Sequence, residues 1–194
     1  MQDIIIVGAG GFGREVLALL KNCNAITPAW NVLGFVDDGK TAGEIVNGFT
    51  VLGGVEYINQ LQKPVAVCIA ISLPEVRKAI AEQITNPHVA YPTLIHPSVI
   101  ISDDEYVEMG KGCVLCINTV LTVNIRLGDF VIMNAGAIIN HDAVIRSYST
   151  IMPGVNISTG AQVGEGCYIG TGSKISKPEV ITPWQKLSAG TIIA

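Results

Sequence analysis

Two different patterns of apolar and polar residues divide the chain. Over about the first 90 residues, short apolar runs alternate with segments whose apolar residues recur at helical spacing. The runs DIIIVGAG, VLGFVDD and PVAVCIAIS are typical of buried strands, and FGREVLALLKNC and PEVRKAIAEQI are typical of helices. Ser72 and Glu75 stand at capping-box spacing, so we expect Ser72 to cap the second helix. Alternating strands and helices predict a small α/β domain with a parallel sheet.

From about residue 95 the apolar residues recur at every sixth position. Neither a helix nor a hairpin has this period, which is typical of a hexapeptide β-solenoid with three short strands in each coil of about 18 residues. Ile95, Ile101 and Val107 keep the same step two residues out of phase, so we expect a small bulge around residues 105–108. The regular aliphatic positions are Met109, Leu115, Leu121, Leu127, Met133, Ile139, Ile145, Ile151, Ile157, Val163, Ile169, Ile175, Ile181, Leu187 and Ile193.

The charge, the apolar runs and the cysteine count of the chain argue against several classes of function. A formal net charge of -4 with only twelve Lys and Arg offers no basic surface for nucleic acid. No run approaches the roughly 20 apolar residues of a membrane span, and the N-terminus enters a strand without a signal peptide, so we expect a cytoplasmic protein. The odd count of five Cys favours reduced thiols. Cys113 and Cys116 form a C-x-x-C with no second pair, so we interpret both as structural rather than as zinc ligands.

The motif GAGGFG lies between the first strand and the first helix. Such a turn brings backbone N–H groups to a phosphate or nucleotide. A domain of about 90 residues holds one mononucleotide half rather than two, so a nicotinamide enzyme is disfavoured although Asp37 stands where a ribose-binding carboxylate would. A tight glycine turn without a ligand remains an alternative.

The stretch AIINHDAVIR places a His and an Asp inside the hexapeptide ladder. Ile139 and Ile145 keep the inward positions, so His141 and Asp142 fall between them and can face a groove. A neutral His accepts a proton near pH 7, and a neighbouring carboxylate favours the imidazolium that results. A zinc-dependent carbonic anhydrase, another solenoid enzyme, needs three His ligands. The chain has only three His in all, with His88 and His96 outside the regular ladder.

The order of these motifs resembles a known family. An N-terminal domain with GAGGFG and FVDD, a TLIHPSVIIS junction and hexapeptide repeats with NHDAVI look like the left-handed β-helix acetyltransferases that modify nucleotide-linked amino sugars. The sialic acid O-acetyltransferases are similar. The resemblance implies a Rossmann-like nucleotide-sugar domain over residues 1–94 and a left-handed β-helix over residues 95–194. It also implies a homotrimer that uses acetyl-CoA, with active sites between neighbouring β-helices, in surface glycan synthesis.

The same resemblance assigns the site residues. His141 would be the general base and Asp142 the group that increases its basicity, without a metal. The nucleotide sugar would contact Gly10, Gly11, Phe12, Asp37, Asp38 and Ser72. Acetyl-CoA would contact Thr150, Thr159, Thr171 and Ala189, with Lys174, Lys177 and Lys186 as candidate phosphate contacts. We expect transfer to an amine, with O-acetylation of a sugar or non-catalytic nucleotide-sugar binding as alternatives.

The chain departs from the family pattern at several positions. Phe12 stands where some members have His, Thr159 stands at a position often filled by Gly, and Arg146 replaces the usual Gly after HDAVI. The sequence stops at LSAGTIIA without the Gly-x-Pro-Ala-basic tail common in hexapeptide transferases. We therefore expect the last coil to end in an uncapped edge. A shortened sequence would explain such an edge, and so would a partner that covers it.

Overall fold

A computed structural model describes residues 1–176 and 179–194. The chain divides into two compact units, Met1–Pro92 and Thr93–Ala194. The sequence predicted an α/β domain followed by a hexapeptide β-helix, and both are confirmed. No helix within the described ranges is long and apolar enough to cross a membrane.

The first unit is a mostly parallel sheet with helices. Its central strands β1, β2 and β5 are parallel and carry the three predicted apolar runs. The sheet order is β3-β4-β2-β1-β5-β6, and only the β3–β4 pair is antiparallel. In chain order the elements are β1 (Gln2–Val7), α1 (Gly11–Ile26), β2 (Trp30–Val36), β3 (Ile45–Val46), β4 (Phe49–Gly53), α2 (Glu56–Asn59), β5 (Val65–Ile69), α3 (Pro74–Gln83) and β6 (Val89–Ala90).

The N-cap of α3 lies one residue after the position that the capping-box spacing predicted. The helix begins at Pro74, and its N-cap is Leu73 in an extended conformation, without a side-chain capping hydrogen bond. Proline supplies the helical φ at the first position and lacks the N–H that a cap would satisfy. Arg77, which is completely buried, instead donates from Nη1 to the carbonyl of Ile71 at 2.5 Å. This hydrogen bond connects the segment after β5 to α3, and Ser72 lies one residue before the N-cap.

The second unit is a left-handed parallel β-helix. Strand follows strand at each hexapeptide: β7 (Leu94–Ile95), β8 (Ile100–Ile101), β9 (Val107–Met109), β10 (Val114–Leu115), β11 (Val120–Leu121), β12 (Ile125–Leu127), β13 (Ile132–Met133), β14 (Ile138–Ile139), β15 (Val144–Ile145), β16 (Thr150–Ile151), β17 (Asn156–Ile157), β18 (Gln162–Val163), β19 (Tyr168–Ile169), β20 (Lys174–Ile175), β21 (Val180–Ile181), β22 (Lys186–Leu187) and β23 (Ile192–Ile193). They stack as three parallel sheets, β7-β10-β13-β16-β19-β22 (the first face), β8-β11-β14-β17-β20-β23 (the second face) and β9-β12-β15-β18-β21 (the third face).

The aliphatic ladder forms the core of this solenoid. From Leu115 to Ile181 every member of the ladder is buried, and Met109, Leu187 and Ile193 pack against them from the ends. Strands pair with the strand 18 residues later, as Ile139 does with Ile157. Each inward side chain therefore stacks on its equivalent in the neighbouring coil, which removes a continuous apolar column from water.

The first coil is longer than the others. Ile101 pairs with Leu121, 20 residues later, whereas Met109 pairs with Leu127 at the regular spacing of 18. The two extra residues are taken up by a turn of 3₁₀ helix at Asp104–Tyr106, with Asp103 accepting from the N–H of Glu105. The change of phase predicted from the sequence is therefore present as a turn before β9, and the expected bulge is not needed to explain it.

From Gly112 to Gly172 every sixth residue lies at a corner of the solenoid and adopts the left-handed region of backbone conformation. At the corner between the second and third faces these residues are Asn124 (φ 53°), Asp142 (φ 64°) and Gly160 (φ 68°). Asn, Asp and Gly tolerate this conformation better than other residues. We call this edge the His141 corner, because His141 precedes Asp142 there. The residue type at position 142 is therefore constrained by the backbone as well as by chemistry.

Candidate active site

His141 and Asp142 form a hydrogen-bonded pair on the outside of the solenoid. Nδ1 of the ring lies 2.7 Å from Oδ2 of the carboxylate, and the two side chains are 51% and 54% exposed. The backbone fixes the pair from both sides, because the N–H of Asp142 donates to Val123 and the carbonyl of His141 accepts from Gly160. The pair therefore sits on a rigid edge while both side chains stay open to solvent.

The carboxylate of Asp142 has a second partner in the preceding coil. Nδ2 of Asn124 donates to its Oδ1 at 3.1 Å. The hydrogen bonds from His141 and then from Asn124 lower the pKa of Asp142 below its usual range. An ionised carboxylate can only accept, so Nδ1 of a neutral His141 ring carries the proton and Nε2 carries the lone pair. Nε2 is then the atom that can accept a proton.

A groove of about 330 Å³ opens beside this pair on the third face. Its lining carries three carboxylates and one guanidinium. Arg126 is paired with Glu108 at 3.4 Å, so the remaining charge of the groove is negative. The full lining is Glu105, Tyr106, Glu108, Asn124, Arg126, Asp142 and Val144. Such a field attracts a cation and repels an anion.

The candidate acetyl-CoA residues are distributed over the solenoid. Thr159 lies at the His141 corner, with its hydroxyl 3.0 Å from Nε2 of His141. Thr171 and Ala189 are exposed at the corner between the first and second faces, one coil apart. Thr150 does not join them, because it is completely buried and its N–H donates to Cys167 within the first face. Thr150 therefore cannot present a side chain or an amide to a ligand.

The three candidate lysines are also spread over the surface. Lys174 is exposed on the second face. Lys186 is exposed on the first face, with its ammonium 5.4 Å from the centre of the Tyr168 ring. Lys177 lies outside the described residues. A long ligand that reached both solenoid lysines would have to cross a corner.

The glycines of GAGGFG in the first unit are of two kinds: some are required by the fold, and others are not. Gly8 has a φ of 99°, and a Cβ built on Gly13 would lie 1.8 Å from the carbonyl oxygen of Gly8. The fold therefore requires both. A Cβ on Gly10 or Gly11 would meet nothing within 4 Å, so packing within the chain does not require glycine there. Open space above the backbone at the start of α1 is what a phosphate needs for close approach.

Asp37 and Asp38 stabilise the loops around the glycine motif. Asp37 accepts from the N–H of Ala9 at 2.7 Å and from that of Gly39 at 2.9 Å. Asp38 accepts from the N–H of Val55 at 2.8 Å, at the start of α2. Both carboxylates line a cavity of about 200 Å³ at the carboxyl ends of β1 and β2. Each carboxylate has lone pairs left for a ligand.

A second cavity of about 390 Å³ is lined by Ala9, Gly10, Arg14, Lys40, Ile45, Val46 and Asn47. Arg14 donates from Nε to the carbonyl of Gly10, and Lys40 pairs with Glu44. Sequence reasoning missed both basic residues. Arg14 could have been found from its place in the first turn after GAGGFG, whereas Lys40 depends on the path of the β2–β3 loop. Phe12 is half-buried in α1, and Ser72 is half-buried beside Ile71 of the first cavity.

His96 and Cys113 have structural surroundings. Nδ1 of His96, which is buried, accepts from the N–H of Ser98 at 3.0 Å. Sγ of Cys113 lies 3.1 Å from the carbonyl of Gly128 inside the core. Among the described residues no group of three or more His, Cys, Asp or Glu is placed to hold a metal ion. None of the five Cys, all within the described residues, forms a disulfide.

Comparison with known families matches both units. Residues 3–84 match the PglD N-terminal domain, and residues 142–177 match the bacterial transferase hexapeptide (six repeats). The chain therefore carries a PglD N-terminal domain followed by transferase hexapeptide repeats. This is the order of parts that the resemblance seen in the sequence implies.

Individual relatives are similar to the chain over different lengths. GDP-perosamine N-acetyltransferase from Escherichia coli O157:H7 is 28% identical over 130 residues, which are 66% of this chain but only 58% of that relative. The acetyltransferase domain of PglB from Neisseria gonorrhoeae FA1090, in complex with acetyl coenzyme A, is 27% identical with a TM-score of 0.88, over 100% of this chain and 91% of that chain. PerB from Caulobacter crescentus, in complex with CoA and GDP-perosamine, has a TM-score of 0.88 at 22% identity, over 100% of this chain and 89% of that chain, and this likeness supports the fold.

Proposed function

We propose that the protein transfers an acetyl group from acetyl-CoA to the amino group of a nucleotide-linked amino sugar. The observation that carries the proposal is the hydrogen-bonded pair of His141 and Asp142, which leaves Nε2 as an exposed proton acceptor on the solenoid. Its relatives from Escherichia coli and Neisseria gonorrhoeae support acetyl transfer, the first by its activity on GDP-perosamine and the second by its complex with acetyl coenzyme A. The reaction would serve surface glycan synthesis in the cytoplasm.

The proposed mechanism needs only one residue to move a proton. The sugar ammonium first loses a proton to the solvent. The lone pair of the resulting amine attacks the thioester carbonyl, and Nε2 of His141 takes the second proton that the nitrogen loses. The carbon–sulfur bond then breaks, and the imidazolium returns this proton to the thiolate of CoA. Asp142 stabilises the imidazolium in between through its hydrogen bond to Nδ1–H. The amide and free CoA are the products, and the ring is neutral again.

The proposed substrate sites lie in both units. Gly10, Gly11 and Phe12 would receive the diphosphate, while Asp37, Asp38 and Ser72 would contact the nucleotide or sugar. Thr159, Thr171 and Ala189 would contact acetyl-CoA, with Lys174 and Lys186 as phosphate contacts. The last two of the acetyl-CoA residues lie at a different corner from His141. A homotrimer with each active site between two β-helices would bring the two corners together, and we include this assembly in the proposal.

The charge of the groove favours an amino sugar over sialic acid. Glu105, Glu108 and Asp142 outnumber Arg126 in its lining. The amino group of such a sugar is a cation in solution, whereas sialic acid carries a carboxylate. Release of free CoA thiol should therefore depend on a UDP-, GDP- or dTDP-amino sugar and be at least about tenfold slower with sialic acid, since like charges disfavour binding. Product mass and stability in alkali separate an amide from an ester, and an alkali-labile product would contradict N-acetylation.

Replacement of Asp142 by Asn should lower kcat by about tenfold. The amide keeps the left-handed backbone conformation and can still accept from Nδ1–H, but the charge that stabilises the imidazolium is lost.

Because the pKa of Asp142 is lowered, its carboxylate is ionised throughout and above the usual titration range of Asp, near pH 3.9. The charge disappears only as the pH falls through that lowered pKa. Asp142 therefore does not cause any loss of activity between pH 5 and 8. Steady-state kinetics over this range, with exposed Asp3→Asn as control, check both points, and an Asp142→Asn rate equal to that of the control would contradict them.

A further inference from the structure

Four side chains form a hydrogen-bonded chain across three successive coils at the His141 corner. The hydroxyl of Thr159 lies 3.0 Å from Nε2 of His141, and Nδ1 of the same ring lies 2.7 Å from Asp142. Asn124, one coil earlier, donates to the other oxygen of Asp142. Both nitrogens of the ring are therefore held, one by its own coil and one by the next.

The direction of the contact from Thr159 follows from the chemistry of its neighbours. Asp142 accepts the proton of Nδ1, so Nε2 of a neutral ring is an acceptor and the hydroxyl donates to it. A threonine hydroxyl can also accept. When Nε2 takes a proton it becomes a donor, and the oxygen of Thr159 is then the acceptor that faces it. One hydroxyl thus suits both protonation states of the ring, and neither an aliphatic side chain nor glycine would.

The ring has little else to hold it. Its side chain is 51% exposed, and among the hydrogen bonds of the described residues only those to Asp142 and Thr159 reach the imidazole. A catalytic side chain needs a fixed orientation to within about 10–20° for efficient proton transfer. A single bond at Nδ1 would leave the ring free to swing about the Asp142 contact. The second bond at Nε2 removes that freedom.

We infer that Thr159 is a positioning residue, whose hydroxyl holds the imidazole of His141 so that Nε2 faces the attacking amine. This inference rests on the proposed function, because it takes Nε2 as the proton acceptor. The incoming amine hydrogen replaces the hydroxyl hydrogen at the lone pair of Nε2, and the hydroxyl turns without movement of the backbone. The role lies in the side chain and is separate from the expected contact between acetyl-CoA and the backbone of Thr159.

The test compares Thr159→Val with Thr159→Ser in the full-length protein. Both variants keep the backbone N–H, but only Ser keeps the hydroxyl. Thr182→Val serves as the matched control, because Thr182 is also an exposed threonine of the solenoid. We expect Val to lower kcat by about 3- to 10-fold, the size of one neutral hydrogen bond, while KM for both substrates stays within about twofold. Ser and the control should retain kcat within about twofold.

A second measurement does not depend on turnover. In ¹⁵N NMR spectra of the ligand-free protein with labelled His, the Nε2 resonance of His141 should move toward that of an imine nitrogen without a donor in Thr159→Val, and stay in place in Thr159→Ser. An unchanged resonance in Val, or equal losses of kcat in Val and Ser, would overturn the inference. If no amino sugar is acetylated by the parent protein, the proposed function fails while the resonance still decides the contact.

Discussion

Replacement of His141 by Asn should lower kcat by roughly 10²- to 10⁴-fold, the usual contribution of a general base. Asn can keep a hydrogen bond to Asp142, but it has no atom at the place of Nε2 that could take a proton. The affinity for acetyl-CoA should change little, because the ligand contacts proposed above do not include the ring. Single-turnover release of CoA, together with calorimetric titration of acetyl-CoA, separates the chemical step from binding.

His88→Asn is the matched control for this variant. His88 is an exposed residue of the first unit that we assign to no site. Its replacement should leave kcat unchanged, so a fall in both variants would indicate a general loss of protein quality. Activity of His141→Asn within about threefold of the parent would remove His141 from the mechanism. Since the pair with Asp142 carries the proposed function, that result would favour a solenoid that binds nucleotide sugars without turnover.

The solenoid could be predicted from the sequence almost completely. The period of six residues can be counted along the sequence without knowledge of any tertiary contact. It repeats often enough that the one inward residue in each hexad identifies the strand. The turn at Asp104–Tyr106 could be located only as a change of phase, because spacing alone does not distinguish a bulge from a 3₁₀ turn. Local sequence therefore determines the register of the coils and leaves the shape of an insertion open.

The first unit was less predictable in its short elements. Strand β5 is buried throughout, and β1 and β2 end in buried apolar residues, so these runs could be recognised by their apolar composition. The hairpin of β3 and β4 is only partly buried, so its residues lack a continuous apolar pattern. The capping-box spacing predicted an N-cap at Ser72, whereas α3 begins at Pro74 with Leu73 as its N-cap. The spacing therefore located the start of this helix to within one residue.

The candidate site shows the same division between local and distant information. His141 and Asp142 are adjacent in sequence, so their pairing could be expected. Asn124 and Thr159 each stand about one coil away, and their contacts with the pair follow from the stacking of coils rather than from any motif. The sequence contains the 18-residue step that aligns Thr159 with His141, but only the structure shows that the hydroxyl points to Nε2.

Two substitutions in GAGGFG should have different effects: Gly13→Ala should destabilise the fold, and Gly10→Ala should weaken ligand binding. A Cβ on Gly13 would lie 1.8 Å from the oxygen and 2.8 Å from the carbon of the Gly8 carbonyl, so the start of α1 has to move away from β1. We expect a loss of about 2–4 kcal/mol in the stability of the first unit, or roughly 10–20 °C in its Tm. Hydrogen exchange resolved by mass spectrometry should place this loss in residues 1–92 and leave the solenoid protected.

Gly10→Ala should leave the fold within about 1 kcal/mol of the parent, because its backbone is extended, its Cβ meets no atom and only a modest N-cap preference is lost. If a diphosphate approaches the N–H groups at the start of α1, the added methyl occupies its space, and KM for the nucleotide sugar should rise by about tenfold or more while KM for acetyl-CoA stays constant. An unchanged KM for the nucleotide sugar in a stable Gly10→Ala protein would mean that GAGGFG is only a tight turn. Loss of stability in Gly10→Ala equal to that in Gly13→Ala would instead contradict the division of the motif into structural and ligand-facing glycines.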